Sequence, residues 1–220
     1  MKFSHLAYIP AFAIYLLSIG EGFADDNADF SKMVSDPTEQ KQVLKVAMQS
    51  GVVLNNPCTS ANISILNKFT FYKPVAFDSA GHPAAGAWKQ SITEKGCGQD
   101  RLLNVFFWLD PNHSIRAMPL FPGTTHADPV LQKDAMSQAA MAAQWPEKDC
   151  KTGWMENTEF LKETGAPLDG VKGKPWDELW TLASCTKKAQ VTMHFIPDKT
   201  GTTIHASLQE TKFLPNKLAQ

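Results

Sequence analysis

VTMHFIPDKTGTTIHASL, residues 191–208, is the stretch whose reading decides the fold. Apolar and polar residues alternate on both sides of Asp198, Lys199, Thr200 and Gly201. A glycine closing that run can take the positive φ that a tight turn needs. Two strands joined by four residues run antiparallel. Counting outward from the loop sets Ile196 opposite Thr203, Phe195 opposite Ile204 and His194 opposite His205. Period-two alternation then predicts that Val191, Met193, Phe195, Ile204, Ala206 and Leu208 share the core face, with both histidines on the other face.

Working outward, residues 176–185 read as a strand. Residues 154–161 fit a strand or a helix, and 165–175 form a loop rich in Gly and Pro. The strongest strand is 102–109. Leu103, Val105, Phe107 and Leu109 occupy one face and Leu102, Phe106 and Trp108 the other, interrupted by Asn104. Apolar residues on both faces predict a central strand covered on both sides. Residues 115–121 return from it, and Pro119 keeps that strand near an edge. Residues 61–77 place Ile63, Ile65, Phe69, Phe71, Val75 and Phe77 on one face, and 78–86 read as a loop.

Two helices begin alike. Asp36 can cap, Pro37 suits the first helical position, and Glu39 falls at the capping-box position. Val43, Leu44, Ala47 and Met48 form the apolar stripe, and Gly51 ends it. Residues 52–54 then fit a short strand or a helical turn. Asp128 and Pro129 open the second helix, along which Leu131, Ala135, Ala139 and Ala142 follow helical spacing until Pro146. This helix is expected to cover one side of the 102–109 strand. The sum is an α+β fold: a mainly antiparallel sheet packed against two or three helices and stapled by disulfides.

Residues 1–24 read as a signal peptide. Lys2 precedes an almost unbroken apolar run over 6–19, and small residues Gly22 and Ala24 precede the acidic stretch that opens at Asp25. That run is shorter than the roughly 20 residues a membrane span requires. Residues 25–35 are polar and read as a flexible N-terminus, leaving 36–220 as one domain. The chain carries 21 basic and 22 acidic residues, net charge -1, with no basic stripe. This argues against nucleic acid as a partner and against attachment to anionic lipid. No stable membrane span is expected after cleavage, and the destination is the periplasm or the exterior. The four cysteines Cys58, Cys97, Cys150 and Cys185 suit two disulfides in an exported chain. Three pairings are possible. Sequential pairing, Cys58–Cys97 and Cys150–Cys185, closes two loops of similar size and is preferred. No pair has the Cys-x-x-Cys spacing of a redox centre or zinc knuckle.

Candidate chemistry is sparse. His194 and His205 stand close enough for both rings to reach one metal ion, but a third ligand such as His113, His126 or Asp128 would have to arrive from far along the chain. An ordinary histidine pair on a sheet face explains the same pattern. Trp176, Glu178 and Trp180 share one side of their strand. An acid between two indoles is a pattern of carbohydrate sites, and equally of aromatics closing a core edge. Glu156, Glu159 and Glu163 would line one face if 154–164 were helical. The chain has no nucleophile elbow, zinc helix, Walker loop or dinucleotide fingerprint, so no catalytic residue and no cofactor is assigned.

The segment from Pro175 through Trp176, Glu178, Trp180 and Cys185 to Phe195, Pro197, Asp198 and Gly201 resembles the C-terminal pattern of small exported proteins of Gram-negative bacteria. The fuller chain resembles proteins that Legionella-type bacteria release by type II secretion. The resemblance carries no catalytic residues onto this chain. It implies a bacterial, exported, disulfide-containing domain of unassigned activity. Because export and bridges are visible and catalytic residues are not, the chain is expected to act by binding a protein or carbohydrate partner at the envelope or outside the cell, with Trp176, Glu178 and Trp180 as anchors and secretion machinery as a further partner. A secreted hydrolase using the histidine pair, or a small-ligand-binding protein, is the alternative. Oligomeric state stays open.

Overall fold

The computed structural model describes residues 22–96, 100–145, 147, 150 and 152–216. Three helices come first: α1 (Gly22–Ser35), α2 (Pro37–Ala47) and α3 (Gly51–Asn55). A four-stranded meander follows: β1 (Asn62–Phe77), β2 (Pro83–Lys95), β3 (Arg101–Leu109) and β4 (Ile115–Leu120). Helix α4 (Pro129–Ala142) leads into a second meander of β5 (Gly153–Glu163), β6 (Trp176–Ser184), β7 (Lys187–Pro197) and β8 (Thr202–Pro215). The strands form two antiparallel sheets in sequential order, β1-β2-β3-β4 and β5-β6-β7-β8. The α+β class stands, with two sheets in place of one. Among the described residues no helix is long and apolar enough to cross a membrane.

Both Asp-Pro starts hold. Asp36 accepts hydrogen bonds from Thr38 N and Glu39 N, and Asp128 accepts one from Leu131 N. Each cap satisfies amides that the first helical turn leaves unpaired. Residues 52–54 are helical, within α3. Residues 25–35, expected to be flexible, lie in α1. Its Phe30 is buried and meets the rings of Phe69, Phe71 and Trp88 at 5.1–5.6 Å. Packing, not propensity, holds this acidic helix. Residues 154–161 are strand, so Glu156, Glu159 and Glu163 do not share a helix face.

Each sheet has its own core. Helices α1, α2 and α3 pack on the first sheet, around Trp88, Ile92, Leu103, Val105 and Phe107. Helix α4 packs on the second, around Trp180, Val191, Met193 and Phe195. Burying each of these large side chains contributes roughly 1.5–3 kcal/mol. The expectation that α4 covers β3 is therefore corrected. Its alanine face (Ala135, Ala139, Ala142) approaches the second sheet, where small residues let helix and sheet come close. Strand β3 is interior as expected, with Leu103, Val105 and Phe107 buried under the helices. Its other face, Phe106 and Trp108, is only half covered.

The C-terminal hairpin keeps the counted register: Ile196 faces Thr203, Phe195 faces Ile204 and His194 faces His205. Further on, pairing passes from Met193 and Ala206 directly to Val191 and Thr211. The extra residues of β8 bulge outward and carry Leu208 into solvent, against its expected core position. Cys150 and Cys185 form a disulfide with their Cα atoms 5.8 Å apart, tying the segment after α4 to the end of β6. Cys58 is a disulfide cysteine as well. Cys97, its expected partner, lies outside the described residues, as does most of the expected signal peptide.

Candidate functional site

The histidine pair is present, and His194 is held between two carboxylates. The two rings lie 6.0 Å apart between centroids. His194 Nδ1 is 2.7 Å from Asp177 Oδ1, and its Nε2 is 3.2 Å from Glu210 Oε2. Burial lowers the His194 pKa, but the hydrogen bonds and charges of Asp177 and Glu210 outweigh it and raise the value overall. Where both nitrogens carry protons, each donates to a carboxylate and neither keeps a lone pair for a metal. The third-ligand candidates lie elsewhere: His113 and Asp128 line one cavity and His126 another. Among the described residues no group of three metal-ligating side chains occurs.

The Trp176, Glu178 and Trp180 cluster has the expected side-sharing geometry, and of its two readings burial favours aromatics packed at a core. Glu178 and Trp180 are completely buried. Glu178 accepts from Trp176 Nε1 at 2.7 Å, from Trp180 Nε1 at 2.8 Å and from the His126 amide at 2.8 Å. Three N–H donors satisfy the carboxylate inside the second core. The cluster is therefore a buried polar node and not a ligand surface. It also pins the chain just before α4, where the His126 ring stacks on Phe160 at 3.9 Å.

Two cavities lie on the outer face of the first sheet, opposite its helices. A cleft of about 640 Å³ runs over Tyr72 of β1, Ala85 to Ala87 of β2 and Phe106 and Trp108 of β3. The aromatic rings form a continuous shelf: Tyr72 to Phe106 is 5.7 Å, and Phe106 stacks on Trp108 at 5.3 Å. Small residues on β2 leave the space above that shelf open. Gly86 is required there, because at φ 144° a Cβ would come within 2.9 Å of Val75. The far wall is the start of α4: Asp128, Pro129 and the exposed Val130.

One end of the cleft is the turn after β3. Asp110 accepts from the amides of Asn112 and Ser114 and from Arg116 Nε. These bonds hold its carboxyl below the ordinary range and hold His113 at a positive φ of 57°. His113 Nδ1 lies 2.9 Å from the Ala84 carbonyl, which can only accept, so Nδ1 carries the proton. Burial, followed by the nearby Asp128 charge, pushes the Tyr72 phenol up to about 12, so it stays neutral.

A second, more polar cavity of about 260 Å³ adjoins the first. Lys68, Thr70, Lys89, Thr124 and His126 line it, with Phe160 across from the sheet. Burial and the neighbouring Lys68 charge lower the Lys89 pKa, partly offset by Glu178. Asn104, the interruption in the apolar β3 face, frames this cavity. It accepts from Ser91 Oγ at 2.9 Å and donates to the carbonyls of Phe121 and Gly123 at 3.0 and 2.9 Å. The connection between the sheets is thereby held against β3.

The cleft residues were signalled in part. Phe106 and Trp108 on the second face of β3 are apolar, and that pattern reads equally as a covered face or as the floor of a cleft. Lys68 and Lys89 carry no motif; only the pairing of β1 with β2 brings them together. Comparison of the chain with protein-family models, curated proteins and solved structures gives no match.

Proposed function

We propose that this chain is an exported binding protein that holds a small apolar molecule on the outer face of its first sheet. One observation carries the reading: three aromatic residues in ring contact across the first sheet, Tyr72 of β1 edge-on to Phe106 of β3 and Phe106 stacked on Trp108, line an open cleft of about 640 Å³. That volume lies within the roughly 300–1,000 Å³ of small-molecule sites, and an apolar lining with a few polar groups at its rim is their usual composition. The polar groups here are the Tyr72 hydroxyl, the Lys73 ammonium, the His113 imidazole and the carboxylates of Asp110 and Asp128. Export is supported by the leader-like start of the sequence, and the Cys150–Cys185 bridge suits an oxidising compartment.

The test is titration of the mature protein with N-phenyl-1-naphthylamine, a neutral apolar fluorophore. Saturable one-to-one binding is expected. Trp108→Ala should weaken it about tenfold, the order expected for loss of a large aromatic contact, while leaving the circular dichroism spectrum unchanged. Absence of saturable binding, or an affinity indifferent to Trp108→Ala, overturns the reading.

A further inference from the structure

We infer that the smaller cavity is an anion-holding subsite, in which Lys68 and Lys89 take the negatively charged group of a ligand whose apolar body lies on Phe106 and Trp108. This rests on the reading of the cleft as a ligand site and specifies its ligand as an organic anion.

The first argument is placement. Lys89 and Ala87, Thr70 and Tyr72, and Asn104 and Phe106 are each two residues apart on one strand, so they point to the same face. One member of each pair lines the small cavity and the other lines the cleft. The two spaces are therefore successive positions on one sheet surface, one step of roughly 7 Å apart. A molecule of moderate size reaches both.

The second argument is charge. Lys89 is half-buried and forms no ion pair among the described residues, and a second cation, Lys68, stands beside it. A half-desolvated ammonium next to a like charge is unfavourable until an anion arrives. The nearby carboxylate of Glu178 does not fill that role, because three N–H donors already hold it. The cleft's own carboxylates, Asp110 and Asp128, line the larger cavity and not the smaller one, and each caps a local turn or helix start.

The third argument is the supply of donors. Thr124 Oγ1 accepts from the Phe160 amide, which leaves its own hydroxyl proton to donate. Thr70 adds a second hydroxyl and His126 an imidazole. Two ammonium groups among hydroxyl donors suit a carboxylate, sulfonate or phosphate group.

The experiment uses two dyes that differ by one charged group: 8-anilinonaphthalene-1-sulfonate and neutral N-phenyl-1-naphthylamine. The double variant Lys68→Gln with Lys89→Met, in which methionine keeps much of the apolar stem of Lys89, is titrated with both. The sulfonate dye should bind about tenfold more weakly than to the parent protein, as expected for loss of charge-assisted contacts. The neutral dye should stay within about twofold. Sulfate should compete with the sulfonate dye and not with the neutral one. If the double variant fails to fold, Lys68→Gln alone is used, with a loss of about threefold expected for the sulfonate dye only. Equal behaviour of both dyes in the lysine variants, together with weakening of both by Trp108→Ala, overturns the anion subsite and leaves the cleft reading intact. Failure of the neutral dye to bind the parent protein overturns both readings, and failure of the sulfonate dye alone overturns only the anion subsite.

Discussion

Polar side chains in unexpected places organise this molecule. Asn104 interrupts an apolar strand face because it anchors the connection between the sheets. Glu178 sits between two tryptophans because their indole N–H groups need an acceptor inside a core. Neither role is visible in a single sequence, where the same residues read as a flaw in a pattern and as half of a sugar site. The face shared by His194 and His205 was legible, since it follows from the loop length alone. The partners of His194 were not: Asp177 comes from β6, and Glu210 from within the β8 bulge, which no local signal announces. A pH dependence follows. The His194 pKa is raised in the fold, with Asp177, Glu210 and His205 facing it. Its stabilising contribution is therefore fully present below about pH 6.5, the unfolded value. It is lost as pH rises through the higher folded value. Urea midpoints measured from pH 5.5 to 9 should fall across that window in the parent protein and stay flatter in His194→Gln. Parallel profiles would show that the carboxylates do not act through this imidazole.

Elements with a strict period were readable, and those that bury polar groups were not. The Asp-Pro helix starts, β3 and the last hairpin each follow one template. Strand β2 was missed because its inward positions are Trp88, Gln90, Ile92 and Glu94, of which two are polar yet buried. Glu94 can occupy a core only because Arg101 lies 3.0 Å away and is itself buried. Helix α1 hides an apolar stripe, Phe30, Met33 and Val34, inside an acidic run. Its i, i+3, i+4 spacing was the available signal. The destination of α4 was beyond periodicity, since an alanine face fits either sheet. The segment between β4 and α4 then stitches the sheets together. Gly123 N donates to Leu102 O at 2.7 Å, Thr124 N donates to Thr158 O at 2.7 Å, and Thr158 N donates to Pro122 O at 2.8 Å. Gly123 holds a φ of 103°, and a Cβ there would lie 1.9 Å from the Thr158 carbonyl oxygen. Gly123→Ala should therefore cost about 3 kcal/mol or more, combining backbone strain with a steric clash. Gly165, whose Cβ would meet nothing within 4 Å, provides the control. Gly165→Ala should stay within about 0.5 kcal/mol of the parent in chemical denaturation. Equal effects at the two glycines would contradict the close approach at 123.

At the scale of the whole molecule the two halves share a plan, an Asp-Pro helix followed by a four-stranded meander, without a shared strand pattern. Each half has a separate core, so their coupling has to come from specific contacts. Trp154 supplies the main one. It belongs to β5 of the second sheet, yet it lies in the first core, with its Cβ 3.3 Å from the position a Gly51 Cβ would occupy on α3. Ala183, its partner across β5 and β6, enters the same core. The Cys150–Cys185 bridge, spanning 35 residues, stabilises only the second half, by about 4 kcal/mol on the chain-entropy account. These placements lead to opposite signatures on heating. In the parent protein Trp154 makes the loss of one core expose the other, and a single calorimetric transition is expected, with van't Hoff and calorimetric enthalpies equal. Trp154→Ala removes a large buried side chain at a cost of about 3–5 kcal/mol. Because that side chain is shared between halves, its loss should also split the transition in two. The lower step should be the first half, which loses its packing partner, and the upper step the disulfide-tethered second half. Removing that bridge alone in the variant, by Cys150→Ala with Cys185→Ala, should then lower the upper step and leave the lower one in place. A single transition that merely shifts downward in Trp154→Ala would mean that the backbone suture at Gly123, and not Trp154, carries the coupling.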